Sequence, residues 1–125
     1  MRVIACDDDP DFLHTLAEHL RTQGIAVVAV TSGFEALTRL RDEPFDALVL
    51  DLVMPGLNGI QVARRARALG HGARIPIVMI SDLSDVSRLH EVPVEGANVY
   101  VHKFSLFDSR HGLVAELLRA TSRSR

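Results

Sequence analysis

Val3-Ile4-Ala5-Cys6-Asp7-Asp8-Asp9-Pro10 passes from four apolar residues straight into three acids and a proline. The apolar run reads as a strand. Asp9-Pro10 reads as the opening of a helix, with an N-cap aspartate and proline at the first helical position. A second apolar run, Ala47-Leu48-Val49-Leu50, closes on another acid, Asp51. Capping accounts for Asp9 but leaves Asp7, Asp8 and Asp51 unexplained. Two like charges about 4 Å apart repel by roughly 4 kcal/mol at an effective dielectric near 20. Carboxylates gathered at strand ends therefore call for a cation, and hard divalent ions such as Mg²⁺ favour oxygen ligands. The stretch predicts an acidic metal pocket on a strand–helix unit.

Outward from these runs, short apolar stretches alternate with amphipathic ones. Leu13, Leu16, Ala17 and Leu20 give the first helix one apolar stripe, and Gly24 ends it. Ile25–Val30 reads as the second strand. Ser32-Gly33-Phe34-Glu35 matches a capping box, with Phe34, Leu37 and Leu40 on one helical face. After Asp51 comes the loop Met54-Pro55-Gly56-Leu57-Asn58-Gly59, then a third helix over Ile60–Leu69. Ile77–Ile80 and Val99–His102 read as the last strands. A final helix puts Leu113, Val114, Leu117 and Leu118 inward and ends near Ala120. Residues 1–120 then form one domain, and the polar, basic segment 121–125 a tail or linker stub.

Strands alternating with helices imply a parallel sheet covered on both faces, which agrees with continuous rather than alternating apolar runs. Such sheets bind ligands at the carboxyl ends of their strands, where the winding direction reverses. Asp7, Asp8, Asp51, Ser81 and Lys103 all fall at strand ends of that kind.

The chain has 125 residues, enough for a real core, and its 47% apolar content argues against disorder. Lys and Arg total 14 against 16 Asp and Glu, so no strong field of one sign recruits nucleic acid or membrane. One cysteine excludes an internal disulfide, and Cys6 reads as a small buried apolar residue. A strand-like run beginning at Val3 leaves no room for a signal peptide, and no apolar stretch approaches a bilayer's thickness. A cytoplasmic domain is expected. The six histidines lack metal-ligand spacing and read as surface groups, and Arg64, Arg65 and Arg67 as a solvated helix face.

Together these residues resemble the receiver domain of two-component response regulators. The resemblance runs from Arg2 to about Ala120. It rests on the Asp7-Asp8 pair, Asp51 before Leu52-Val53-Met54-Pro55-Gly56, Ser81, Gly96-Ala97, Tyr100 and Lys103. It implies a flavodoxin-like, doubly wound α/β fold, with five parallel strands in the order 2-1-3-4-5 and five helices. It also implies that Asp51 accepts a phosphoryl group from a sensor histidine kinase or phosphotransfer protein. Asp8 and Asp51 would then ligate Mg²⁺ directly, Asp7 through water and Val53 through its backbone carbonyl. Lys103 would offer positive charge and Ser81 a hydroxyl to the phosphoryl oxygens, with Ser81 and Tyr100 as switch residues. The product is a signal read by a downstream protein or a fused output region, with no direct contact to nucleic acid or membrane. The domain is not expected to be an enzyme.

Several residues depart from the family pattern. Phe104 follows Lys103 where many receivers carry proline. Asp82 follows Ser81 where a small residue is usual, and its carboxylate is a possible gate against an incoming phosphate. Val53 brings no polar side chain to the second place after Asp51. Pro93 disfavours helix within Ser84–Gly96, so the fourth helix is expected to be short or irregular. Two other readings stay open: a phosphate-independent interaction domain of the same fold, and a Mg²⁺-dependent phosphohydrolase. The hydrolase wants a second acid near the nucleophile, and Val53 occupies its usual place.

Overall fold

The computed structural model describes residues 1–70, 73–82, 99–110 and 112–123. β1 (Arg2–Cys6), β2 (Ala26–Val30), β3 (Ala47–Asp51), β4 (Ile77–Ser81) and β5 (Val99–His102) form one sheet in the order β2-β1-β3-β4-β5. Every pairing is parallel. Among the described residues four α-helices cover it: α1 (Pro10–Thr22), α2 (Gly33–Asp42), α3 (Gly59–Arg67) and α4 (Leu113–Arg123). The expected short fourth helix falls on residues 83–98, outside the described residues. No helix among the described residues is long and apolar enough to cross a membrane.

The apolar runs are continuous because the sheet has two buried faces. Ile4, Cys6, Leu48, Leu50, Ile77 and Met79 point to one face, where Ala36 and Leu40 of α2 meet Val62, Ala63 and Ala66 of α3. Val3, Ala5, Ala47, Val49, Val78 and Ile80 point to the other, under Leu13, Leu16 and Leu20 of α1 and Leu113 and Leu117 of α4. Successive strand residues thus bury on opposite sides, as the period of two requires.

Caps set the helix starts. The Asp9 side chain accepts from the N–H groups of Asp11 and Phe12, with Pro10 at the first turn. Gly24, at φ 79°, takes the left-handed conformation just past the end of α1. At α2, Ser32 accepts from Phe34 N–H, the single side-chain cap bond recorded there. The full reciprocal box occurs instead at α3, between Asn58 and Gln61.

Three faces differ from the sequence reading. Phe34 is 58% exposed, because α2 turns Gly33, Ala36 and Leu40 inward. A Cβ at Gly33 would lie 2.5 Å from Val62 Cγ2, so α2 and α3 meet edge-on at the glycine and Phe34 is left outside. Leu118 is 53% exposed, since Leu113, Leu117, Ala120 and Thr121 are the residues of α4 that bury. Arg67 is half-buried and donates to the Ile75 carbonyl, whereas Arg64 and Arg65 are exposed as expected. Smaller shifts occur at element ends: Ile25 precedes β2, β4 continues to Ser81, and α4 to Arg123.

Candidate functional site

The chain leaves β1 for β2 on one side and reaches β3 on the other, so the winding reverses between β1 and β3. Their carboxyl ends therefore border a crevice, the usual ligand position in an open parallel sheet. Asp7 follows β1, Asp51 ends β3, Ser81 ends β4 and Lys103 follows β5. The register sets these side by side, pairing Asp51 with Ile80 and Ser81 with His102. Four strands converge on one rim.

Asp7 and Asp51 are buried, and Asp8 is exposed at the mouth. Each offers a carboxylate oxygen, and these oxygens lie within 4.8 Å of one another. The Lys103 ammonium stands 3.1 Å from Asp7 Oδ2 and 3.5 Å from Asp51 Oδ1. The first approach is an ion pair without hydrogen-bond alignment, so among the described residues no well-directed donor meets the buried Asp7 Oδ2. The other Asp7 oxygen accepts from Asp9 N–H at 2.9 Å. Lys103 also sits 4.4 Å from the centroid of the Phe12 ring. Ser81 Oγ is buried and has no hydrogen-bond partner among the described residues.

Burial first, and the neighbouring Asp7 charge second, push the Asp51 carboxyl up to about 7. Lys103 and the Val53 backbone N–H act in the opposite sense. Asp7 is raised for the same first reason, burial, against the pull of Asp9 N–H and Lys103. Burial works against the Lys103 ammonium, but Asp51 and Asp7 outweigh it and hold its pKa above the ordinary lysine value. The pocket thus holds two desolvated acids that a single ammonium only partly compensates. A buried, poorly satisfied carboxylate oxygen within reach of two more acids fits a hard divalent cation.

The loop after β3 keeps Asp51 in place. Leu52 N–H bonds the Ile80 carbonyl at 2.9 Å, and Gly59 N–H bonds the Leu52 carbonyl at 2.9 Å. A Cβ at Gly59 would stand 2.5 Å from the Asp51 carbonyl oxygen, so this turn needs glycine. Met54 and Leu57 anchor the loop in the core, while Val53 is exposed.

The remaining sequence candidates lie around this centre. Asp82 is exposed, and its charge is felt at Lys103. Tyr100 is half-buried against the α2–α3 core, and its buried hydroxyl has no partner among the described residues. Burial pushes the Tyr100 hydroxyl up to about 12. Gly96 and Ala97 lie outside the described residues. Phe104 is exposed within a 3-10 turn, Lys103–Ser105, and stacks on His102. His102 is therefore half-buried rather than a surface group, and its buried Nδ1 has no partner among the described residues. Burial pushes the Cys6 thiol up to about 12, which fits a core residue beside Met54 rather than a nucleophile. Phe12 is the site residue that the sequence reading passed over. Its contact with Lys103 joins residues far apart in the chain and has no local signature.

Known proteins resemble this chain, some in sequence and some in fold. The DNA-binding response regulator MtrA of Mycolicibacterium smegmatis is 36% identical over 102 residues, 82% of this chain and 43% of its own. The response regulator MprA of Mycobacterium leprae is 35% identical over 122 residues, 97% of this chain and 52% of its own. The chain spans about half the length of these curated relatives. Among solved structures, the receiver domain of a sensor histidine kinase from Pseudomonas aeruginosa, with magnesium coordinated in its active site cleft, superimposes with a TM-score of 0.85. It is 25% identical and covers 97% of both chains. A sensor protein from Polaromonas sp. gives a TM-score of 0.86 at 25% identity, covering 99% of this chain and 98% of its own. The family model for the response regulator receiver domain matches residues 3–111. With that match over most of its length, on a sheet of the expected order, the chain belongs to the response regulator receiver domain family.

Proposed function

We propose that this domain is a phosphoacceptor that takes a phosphoryl group onto Asp51 from a sensor histidine kinase or phosphotransfer protein. The observation that carries the reading is the convergence at one rim of three acids, an ammonium and a buried hydroxyl. Asp51 Oδ attacks phosphorus, forming an acyl phosphate as the bond from phosphorus to the donor breaks. A carboxylate is a competent nucleophile here, and what remains for the protein is positioning and charge neutralisation. Lys103 meets the phosphoryl oxygens with its ammonium, and Ser81 donates its hydroxyl. Asp7, Asp8, Asp51 and the Val53 carbonyl would hold Mg²⁺, which when bound neutralises charge on the phosphoryl oxygens. Ser81 and Tyr100 then carry the change to the surface as switch residues.

The domain acts as a stoichiometric acceptor rather than an enzyme, in the cytoplasm. The receiver takes in residues 121–123, which continue α4 with Thr121 buried, so the tail expected at 121–125 begins inside that helix. Its output is a protein contact, made by a downstream partner or a fused region, and the near balance of charge gives the domain itself no nucleic-acid surface. Phosphate-independent partner binding is the second reading, favoured by one observation: Asp82 stands exposed beside Ser81, with its charge felt at Lys103, where it opposes an anionic donor.

Incubation with Mg²⁺ and acetyl phosphate, followed by intact mass, separates the two. The wild type is expected to gain one phosphoryl group and Asp51→Asn none. Equal labelling of both would misassign the acceptor. A wild type never labelled by donor or kinase supports the second reading. In the same assay Asp82→Ala is expected to label faster, as its charge lies near Lys103 and opposes an anionic donor. An unchanged or slower rate means that Asp82 does not gate the pocket.

A further inference from the structure

We infer that Phe12 is a positioning residue, whose ring fixes the Lys103 ammonium between Asp7 and Asp51; the inference rests on the phosphoacceptor reading of this site. A lysine ammonium is a compact charge on a flexible four-carbon stem. Asp7 Oδ2 and Asp51 Oδ1, at 3.1 and 3.5 Å, supply two points of attraction, and two points leave it free to swing about the line joining them. The face of Phe12, 4.4 Å away at its centroid, is the third.

The ring is itself held. Phe12 packs against the core shared by α1 and α4, and its N–H donates to Asp9 Oδ1 at 3.3 Å. Asp9 N–H donates in turn to Asp7 Oδ1 at 2.9 Å. The contacts close a circuit from Asp7 through Asp9, Phe12 and Lys103 back to Asp7. The cap that starts α1 thereby also sets the ammonium's place at the phosphoryl position. The Lys103 side chain is only 19% exposed, so water screens this contact little.

The test uses the whole chain with Phe12→Leu, which keeps apolar bulk without the π face, and Phe12→Tyr, which keeps the ring. In ¹H–¹³C spectra the Lys103 ε-methylene protons should lie upfield through the ring current in wild type and Phe12→Tyr. They should return to the ordinary lysine position in Phe12→Leu. With saturating Mg²⁺ and acetyl phosphate, Phe12→Leu should slow initial labelling about 3- to 5-fold, and Phe12→Tyr less than about twofold. A double-mutant cycle separates positioning from packing: in a Lys103→Met background Phe12→Leu should make no further difference. An ε-methylene position unmoved by Phe12→Leu, or an equal slowing with and without Lys103, overturns the inference. A wild type that takes no phosphoryl group overturns the phosphoacceptor reading instead, and the ε-methylene shift still decides whether Phe12 places Lys103.

Discussion

Asp51 carries a conflict that its protonation state reveals. Its carboxyl is pushed up to about 7 by burial and by Asp7, above the range of an unfolded aspartate. A raised folded-state pKa means that the folded chain holds the proton more tightly than the unfolded chain. The stabilisation from that proton is complete below about pH 4 and is lost as pH rises through about 7. In metal-free protein, Asp51→Asn should therefore raise the thermal midpoint at pH 8 by on the order of 10 °C. The difference should shrink towards pH 4. Calorimetry of both proteins in chelator across that range checks this, and a gap that does not change with pH would show that Asp51 is not desolvated. The cost is the counterpart of function, since a carboxylate destabilised when charged gains most from a cation.

At the scale of elements, the start of α3 is tied to the end of β3, the strand that carries Asp51. Its Asn58–Gln61 capping box and the Gly59 N–H bond to Leu52 fold the β3–α3 loop back over Asp51. An alanine Cβ at position 59 would meet the Asp51 carbonyl oxygen at 2.5 Å and Met79 Sδ at 2.7 Å. The methionine has room to turn, but the carbonyl belongs to a central strand and does not. Gly59→Ala should cost about 1–3 kcal/mol in urea unfolding and displace Asp51, the proposed acceptor, enough to slow labelling. Gly70→Ala is the control, as a Cβ there meets nothing within 4 Å. Equal stabilities of the two variants would mean that the loop has freedom the close packing denies.

For the whole molecule, metal and fold should be linked through the three acids. A cation that binds only the folded chain stabilises it by about 2.7 kcal/mol at a hundredfold excess over its Kd. Mg²⁺ should raise the thermal midpoint accordingly, and Asp8→Ala should remove most of the rise. Asp8 suits this test because it is exposed, so its loss disturbs the site without opening the core, unlike the buried Asp7 and Asp51. No response of the wild type to millimolar Mg²⁺ would sink the acidic-pocket reading.

Much of this was readable in the chain because strands and caps are local. Continuous runs such as Ala47–Leu50 announce burial on both faces, and parallel pairing puts whatever follows them on one rim. Asp7, Asp8, Asp51, Ser81 and Lys103 were therefore identifiable from position, as was Asp9 as a cap. Tertiary structure alone decided what depends on a neighbour's shape. Phe34 looked apolar enough to bury, but the close approach of α2 to α3 at Gly33 turned it outward. Leu118 lost its place in the core to the turn of α4 that buries Leu117 and Thr121. The Phe12 ring met Lys103 because α1 and the end of β5 converge, a distance in sequence that no local pattern spans. Residue type and strand ends set the chemistry available to the site; packing set which groups touch, since contact depends on the angle and separation of elements that meet only in the folded chain.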